Sequence, residues 1–162
     1  MADAADRLDA AAAWWRLFHG RLAPDERVDM PMLSGSMAPV LPVGSTLIIA
    51  GAHGEVCRVG DVVVFRDDDR LVAHRLLWGW PPGRARAFLQ AGDGVSPVGW
   101  ISTRAVLGLV VAVRGPDQST RDLRSPEARR EGCRLARRRL RRLVTAPWLG
   151  PLRKGKAWLL RR

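Results

Sequence analysis

The chain has 162 residues and a net charge of +11, long enough for one domain with a buried core. The excess lies at one end: residues 1–120 hold 12 Arg and no Lys against 13 acids, a net −1, whereas residues 121–162 hold 15 Arg and Lys against three acids, a net +12. Two cysteines and three histidines in no metal-binding spacing argue against a structural zinc site, and the longest apolar run, Val106–Val113, falls far short of the roughly 20 residues that cross a bilayer.

Residues 4–20 read as a helix. Leu8, Ala11, Ala12, Trp15 and Phe18 recur at helical spacing, and Gly20 is a stop. Such a helix either packs on its own domain or docks at a membrane interface, where tryptophan is favoured. Next comes Leu33-Ser34-Gly35-Ser36-Met37-Ala38-Pro39-Val40-Leu41. Gly35 permits a sharp bend and Pro39 fixes the exit direction. A turn of this kind is either a plain surface loop or a platform that presents the Ser36 hydroxyl beside a bare backbone N–H.

From Arg27 to Arg114 the pattern predicts β-structure. Candidate strands are Thr46–Ala50, Asp61–Arg66, Leu71–Trp78, Arg84–Gln90 and Ala105–Arg114, rich in Val, Ile and Leu and bounded by Gly, Pro and Asp. Asp67-Asp68-Asp69 reads as a solvated hairpin tip rather than a metal site, and Trp80-Pro81-Pro82-Gly83 as another break. After Ser125 a helix follows, with Cys133, Ala136, Leu140 and Leu143 on one face and arginines around the rest. Pro147, Gly150 and Pro151 end it, and Lys154–Arg162 sets Trp158, Leu159 and Leu160 among cations. The expected fold is mainly β: a small, curled, antiparallel β-fold with an N-terminal helix and a basic helical C-terminal tail. The expected divisions are a helical segment over 1–26, a catalytic domain over 27–120 and the basic tail over 121–162.

A serine nucleophile needs a base, and the choice is narrow. Both lysines, Lys154 and Lys156, lie in the distal tail, so a serine–lysine pair within the β-body is excluded. Of the histidines, His19 belongs to the first helix and His53 to the turn Gly51-Ala52-His53-Gly54. His74 lies mid-strand, where alternation puts Val72, His74 and Leu76 on one face. It reads either as a core histidine bonded to a carbonyl or as a base held rigidly against a serine. Asp93, between Gly92 and Gly94, is a candidate to orient the imidazole, although the glycines equally suit a plain turn.

The segment Ser34–Leu41 resembles the nucleophile box of the type I signal peptidases. Val59-Gly60-Asp61-Val62-Val63-Val64-Phe65, Val72-Ala73-His74-Arg75-Leu76, Ala91-Gly92-Asp93 and Val106-Leu107-Gly108 resemble further boxes of that family, in the same order. The superfamily includes the self-cleaving LexA-type repressors. Most members use a serine–lysine dyad; the endoplasmic-reticulum and archaeal-like branch uses histidine, which His74-Arg75 resembles. The resemblance, over roughly residues 30–114, implies Ser36 as nucleophile, His74 as general base, Asp93 as the acidic helper, and the Ser36 N–H with the Ser34 hydroxyl as oxyanion hole. It implies no metal and no cofactor, and cleavage of an extended peptide or precursor protein after a small residue. Three departures stand out: Ser45 replaces the usual Asp after Gly44, the Asn and Asp residues common after Asp93 in the histidine branch are missing, and, the greatest, the transmembrane anchor expected of a general signal peptidase is not evident.

The rival expectation is a binding module whose arginine-rich tail holds nucleic acid through phosphate contacts, although no nucleic-acid-reading motif accompanies the tail. Arginines around an apolar face, with tryptophans nearby, suit an anionic membrane surface better. The acidic start, Met1–Asp9, lacks the order of a secretory signal. The expectation is a cytoplasmic protein that associates peripherally with the membrane.

Overall fold

A computed structural model describes residues 12–20, 22–52, 56–68, 70–94 and 97–145. Helix α1 (12–18) precedes strands β1 (Arg27–Pro31), β2 (Thr46–Gly51), β3 (Val62–Asp67), β4 (Arg70–Trp80), β5 (Ala87–Ala91), β6 (Val98–Ser102), β7 (Val106–Arg114) and β8 (Thr120–Asp122), and helix α2 (Pro126–Thr145) follows. The strands form one antiparallel sheet in the order β1-β2-β7-β3-β4-β5-β6, with β8 paired to β7. The sheet is not closed, so β1 and β6 are its edges. The mainly-β expectation holds. All five predicted strands are present; the sequence reading did not separate β1, β6 or β8 as strands.

Alternation along β3 and β4 divides the core. Val62, Val64 and Ala73 join Leu17 of α1, Met37, Leu47 and Ile49 in one cluster. Val63, Phe65 and Leu76 turn the other way, towards Phe88, Ile101 and Leu109. Burying fifteen side chains in the first cluster and eight in the second supplies the main driving force for the fold. A register shift between Leu76 and Trp78 lets Leu77 face a third cluster instead.

That third cluster docks α2. Ala136 is fully buried against Leu77, Leu89 and Ala91, with Leu140 and Leu143 beside it, so the face predicted for this helix is the one that packs. The approach is close because two glycines meet. A Cβ on Gly60 would lie 2.6 Å from the Cys133 nitrogen, and one on Gly132 would lie 2.6 Å from the Gly60 carbonyl oxygen. Cys133 then donates its thiol to the Val59 carbonyl at 3.2 Å. The boundary drawn at residue 120 falls within β8, and the described part of the basic tail is a packed layer of the molecule. Residues 146–162, with Trp148, Trp158 and both lysines, lie outside the described residues.

Candidate active site

The serine turn is built by one buried anchor and a net of backbone bonds. Gly35–Met37 forms a single 3-10 turn, closed by the Ala38 N–H on the Gly35 carbonyl at 3.0 Å. Met37 is fully buried and fixes the turn to the core. Its neighbour Ser36 is half-buried and Ser34 is exposed. Ser34 stands at the N-cap with extended backbone, yet its hydroxyl makes no capping bond. It lies instead 3.2 Å from the Ser36 hydroxyl. From the far side, the Gly94 N–H donates to the Ser36 carbonyl at 2.9 Å. Gly94 packs so tightly that a Cβ would come within 2.8 Å of the Ala38 carbonyl oxygen and 3.3 Å of that of Ser36.

His74 is held differently. It sits within β4, opposite Val63 of β3, and is buried. Phe65 meets the imidazole edge-on, with ring centroids 6.0 Å apart. The ring nitrogen Nδ1 is 2.5 Å from Gln90 Oε1. Gln90 lies opposite Leu76 on β5, diagonal to His74 on the same face, which is where long side chains reach one another. An amide oxygen only accepts, so Nδ1 carries the proton and Nε2 has a free lone pair. Burial lowers the pKa of His74 from its usual 6.5; the bond to Gln90 and the charges of Asp67 and Asp93 oppose that shift, while Arg139 adds to it. The imidazole is therefore neutral at neutral pH.

Asp93 does not take the place expected for it beside the imidazole. Its carboxylate accepts two hydrogen bonds from Arg75, from Nε at 2.7 Å and from Nη2 at 2.6 Å, in a buried bidentate pair. Arg75 Nη1 donates to the Gly60 carbonyl at 2.6 Å. The residue next to His74 is thus tied to the residue next to Gly94, and Gly94 is bonded to Ser36. Asp93 acts on His74 through space and through this tie, while the direct partner is Gln90. The sequence pattern marks Gln90 only as the end of a strand. A polar residue on the His74 side of β5, diagonal to the histidine, was the available signal.

Ser34, Ser36, His74 and Gln90 all line one groove. Its volume, about 1150 Å³, exceeds the roughly 300–1000 Å³ of most small-molecule sites. Met30, Met32, Val72, Val98 and Ile101 make much of the wall apolar. His19 packs on Trp15 of α1, with centroids 4.6 Å apart, and His53 lies outside the described residues. Ser45, at the position of the expected Asp, is buried and its hydroxyl has no partner.

Among the described residues no group of three or more His, Cys, Asp or Glu could hold a metal ion. Cys57 is buried and its thiol is pushed up to about 12, by burial and then by the charge of Asp61. It is no nucleophile at neutral pH. No described helix is long and apolar enough to cross a membrane. Comparison with protein-family models, with curated proteins and with solved structures finds no match to this chain.

Proposed function

We propose that the protein is a serine endopeptidase of the signal-peptidase type that works through Ser36 and His74. The observation that carries this reading is the groove itself: a half-buried serine on a tight turn and a neutral histidine, its Nδ1 bonded to Gln90, line the same cleft. His74 Nε2 takes the Ser36 proton as Ser36 Oγ attacks a peptide carbonyl carbon. The Ser36 N–H and the Ser34 hydroxyl, 3.2 Å from the nucleophile oxygen, receive the charge that develops on the carbonyl oxygen. The tetrahedral intermediate collapses to an acyl-enzyme as His74 returns the proton to the leaving amine, and water then repeats the sequence to release the acid. Gln90 is a positioning residue that fixes the tautomer and ring plane.

The substrate is an extended peptide or precursor protein. Both sheet edges, at Met30–Pro31 and at Val98–Ser102, border the groove, and an edge strand offers unpaired backbone groups to such a segment. Cleavage after a small residue follows from the resemblance in the motifs. The test is labelling of the purified full chain with a fluorophosphonate, followed by peptide mapping. Covalent modification at Ser36, lost in Ser36→Ala and strongly slowed in His74→Ala, supports the reading. Modification elsewhere, or none at any pH, overturns it.

A further inference from the structure

The β4–β5 hairpin carries a surface that the chemistry at Ser36 does not use. β3 pairs with β4 only as far as Arg75, opposite Val62, but β4 runs on to Trp80. In the sheet ladder Trp78, Gly79 and Trp80 pair with β5 alone. The tip that follows, Pro81-Pro82-Gly83-Arg84, is exposed throughout. Trp78 and Trp80 are 43% and 52% exposed, and the nearby Val56 is 66% exposed. A shallow depression that Val56 and Trp78 help to line, and Trp80 does not, is bordered by Arg58, Arg84 and Arg86, with no acid among its described lining residues.

Trp78 lies opposite Leu89, and directly opposite residues share a face. Trp80, two residues on, points the same way. Leu89 and Leu77 belong to the cluster that holds Ala136, Leu140 and Leu143 of α2. The two indoles therefore stand on the sheet face that α2 covers. From Gly132 to Thr145 that helix has six arginines and no acid, and Arg134, Arg137, Arg138, Arg141 and Arg142 are exposed.

We infer that this face docks the protein onto an anionic lipid bilayer, with the Trp78–Arg84 tip entering the interface and the α2 arginines meeting headgroup phosphates. Indole rings prefer the boundary between headgroups and acyl chains, and arginines beside them add attraction to anionic lipid. The tip overhangs the sheet and carries Trp80, Pro81 and Pro82 with Val56 close by. A nucleic-acid duplex offers these groups no apolar phase, whereas a bilayer interface does. The inference is independent of the peptidase reading.

The test is co-sedimentation of the full chain with phosphatidylcholine vesicles, with and without 30% phosphatidylglycerol, at low and at high salt. At low salt the chain should sediment with the anionic vesicles at a lipid concentration at least tenfold below that needed for the neutral ones. The double variant Trp78→Ser/Trp80→Ser and, separately, Arg84→Gln/Arg86→Gln should each raise the half-saturating anionic lipid concentration, the first at least tenfold and the second several-fold. Arg84 and Arg86 are exposed, so the second variant keeps the test valid if the first is unstable. Unchanged lipid binding in both overturns the inference. So does absence of anionic-vesicle binding by the unaltered chain, with or without tight, salt-sensitive binding of duplex DNA.

Discussion

The turn that carries Ser36 and the strand that carries His74 meet in one groove, yet they are held by different means. The turn is irregular backbone, fixed by one buried side chain, Met37, and by bonds such as Gly94 N–H to Ser36 C=O. The strand is regular, and its histidine is set by side chains: Gln90 at Nδ1, Phe65 on the ring and Val63 alongside. Backbone bonds place a main-chain N–H as well as a hydroxyl, as an oxyanion site requires. Side-chain burial tunes a pKa, as a base requires. The Arg75–Asp93 pair is the link between the two, because it joins the neighbour of His74 to the neighbour of Gly94.

The largest expected effect comes from removing either reacting group. Ser36→Ala or His74→Ala should each lower kcat/KM on a peptide substrate by about 10³-fold or more, and the double variant should cost little beyond either, because the two act as a unit. Their stabilities should differ. Ser36→Ala removes a hydroxyl from a half-exposed site and should leave thermal stability unchanged. His74→Ala strands the buried Gln90 amide and should cost about 1–3 kcal/mol. Chemical denaturation beside steady-state kinetics reads both, and additive losses in the double variant would break the pairing.

Next in size is the link. Asp93→Ala leaves Arg75 buried and unpaired, and breaking such a pair costs about 3–5 kcal/mol of stability. Measured well below its melting temperature, the variant should keep most of its kcat while its acid limb moves slightly downward, because Asp93 makes its bonds to Arg75 and reaches His74 only through its charge. A strong loss of kcat in a fully folded Asp93→Ala protein would instead restore Asp93 as the acid that orients His74.

Gly94→Ala separates the two halves more finely. Its new methyl would meet the Ala38 carbonyl oxygen at 2.8 Å, so the serine turn must shift while β4 does not. Misplacement of a nucleophile by about 1 Å can cost about 10²-fold. The expected result is a fall in kcat of roughly that size with a small change in stability and no change in the pH limb. The Gly94→Ala variant should also label slowly with fluorophosphonate, reporting directly on the Ser36 hydroxyl.

The sequence marks the residues proposed to react more clearly than it marks what holds them. Ser36 was marked by its glycine, methionine and proline neighbours, and His74 by a strand with no lysine to compete. Gln90 and Gly94 were not, because their roles depend on which strands adjoin. Gln90 reaches His74 only because β5 pairs with β4 in one register, and Gly94 matters only because its loop returns against the turn. β8, Thr-Arg-Asp, has no apolar residue to betray it, and β6 is short and interrupted by Gly99. The docking face of α2 was legible because it is a local pattern, whereas the meeting of Gly60 with Gly132 is not local and left no trace.

The smallest expected effect is the position of the acid limb, and it tests the side-chain half of the comparison alone. An unburied histidine titrates near 6.5, and burial lowers His74 below that value. The base must be neutral to act, so the acid limb of kcat/KM should lie below pH 6.5. The same shift bears on stability. The folded protein holds the imidazole proton less well than the unfolded chain, so the contribution of His74 is complete above about pH 6.5 and is lost as the pH falls from there to the folded value. Gln90→Glu puts a carboxylate where Oε1 lies 2.5 Å from Nδ1 and favours imidazolium. Its limb should move upward by about one pH unit or more, while Gly94→Ala leaves the limb in place. Profiles of kcat/KM from pH 4.5 to 9 for the three proteins decide it: a limb that ignores Gln90→Glu would mean that the imidazole at Gln90 is not the base.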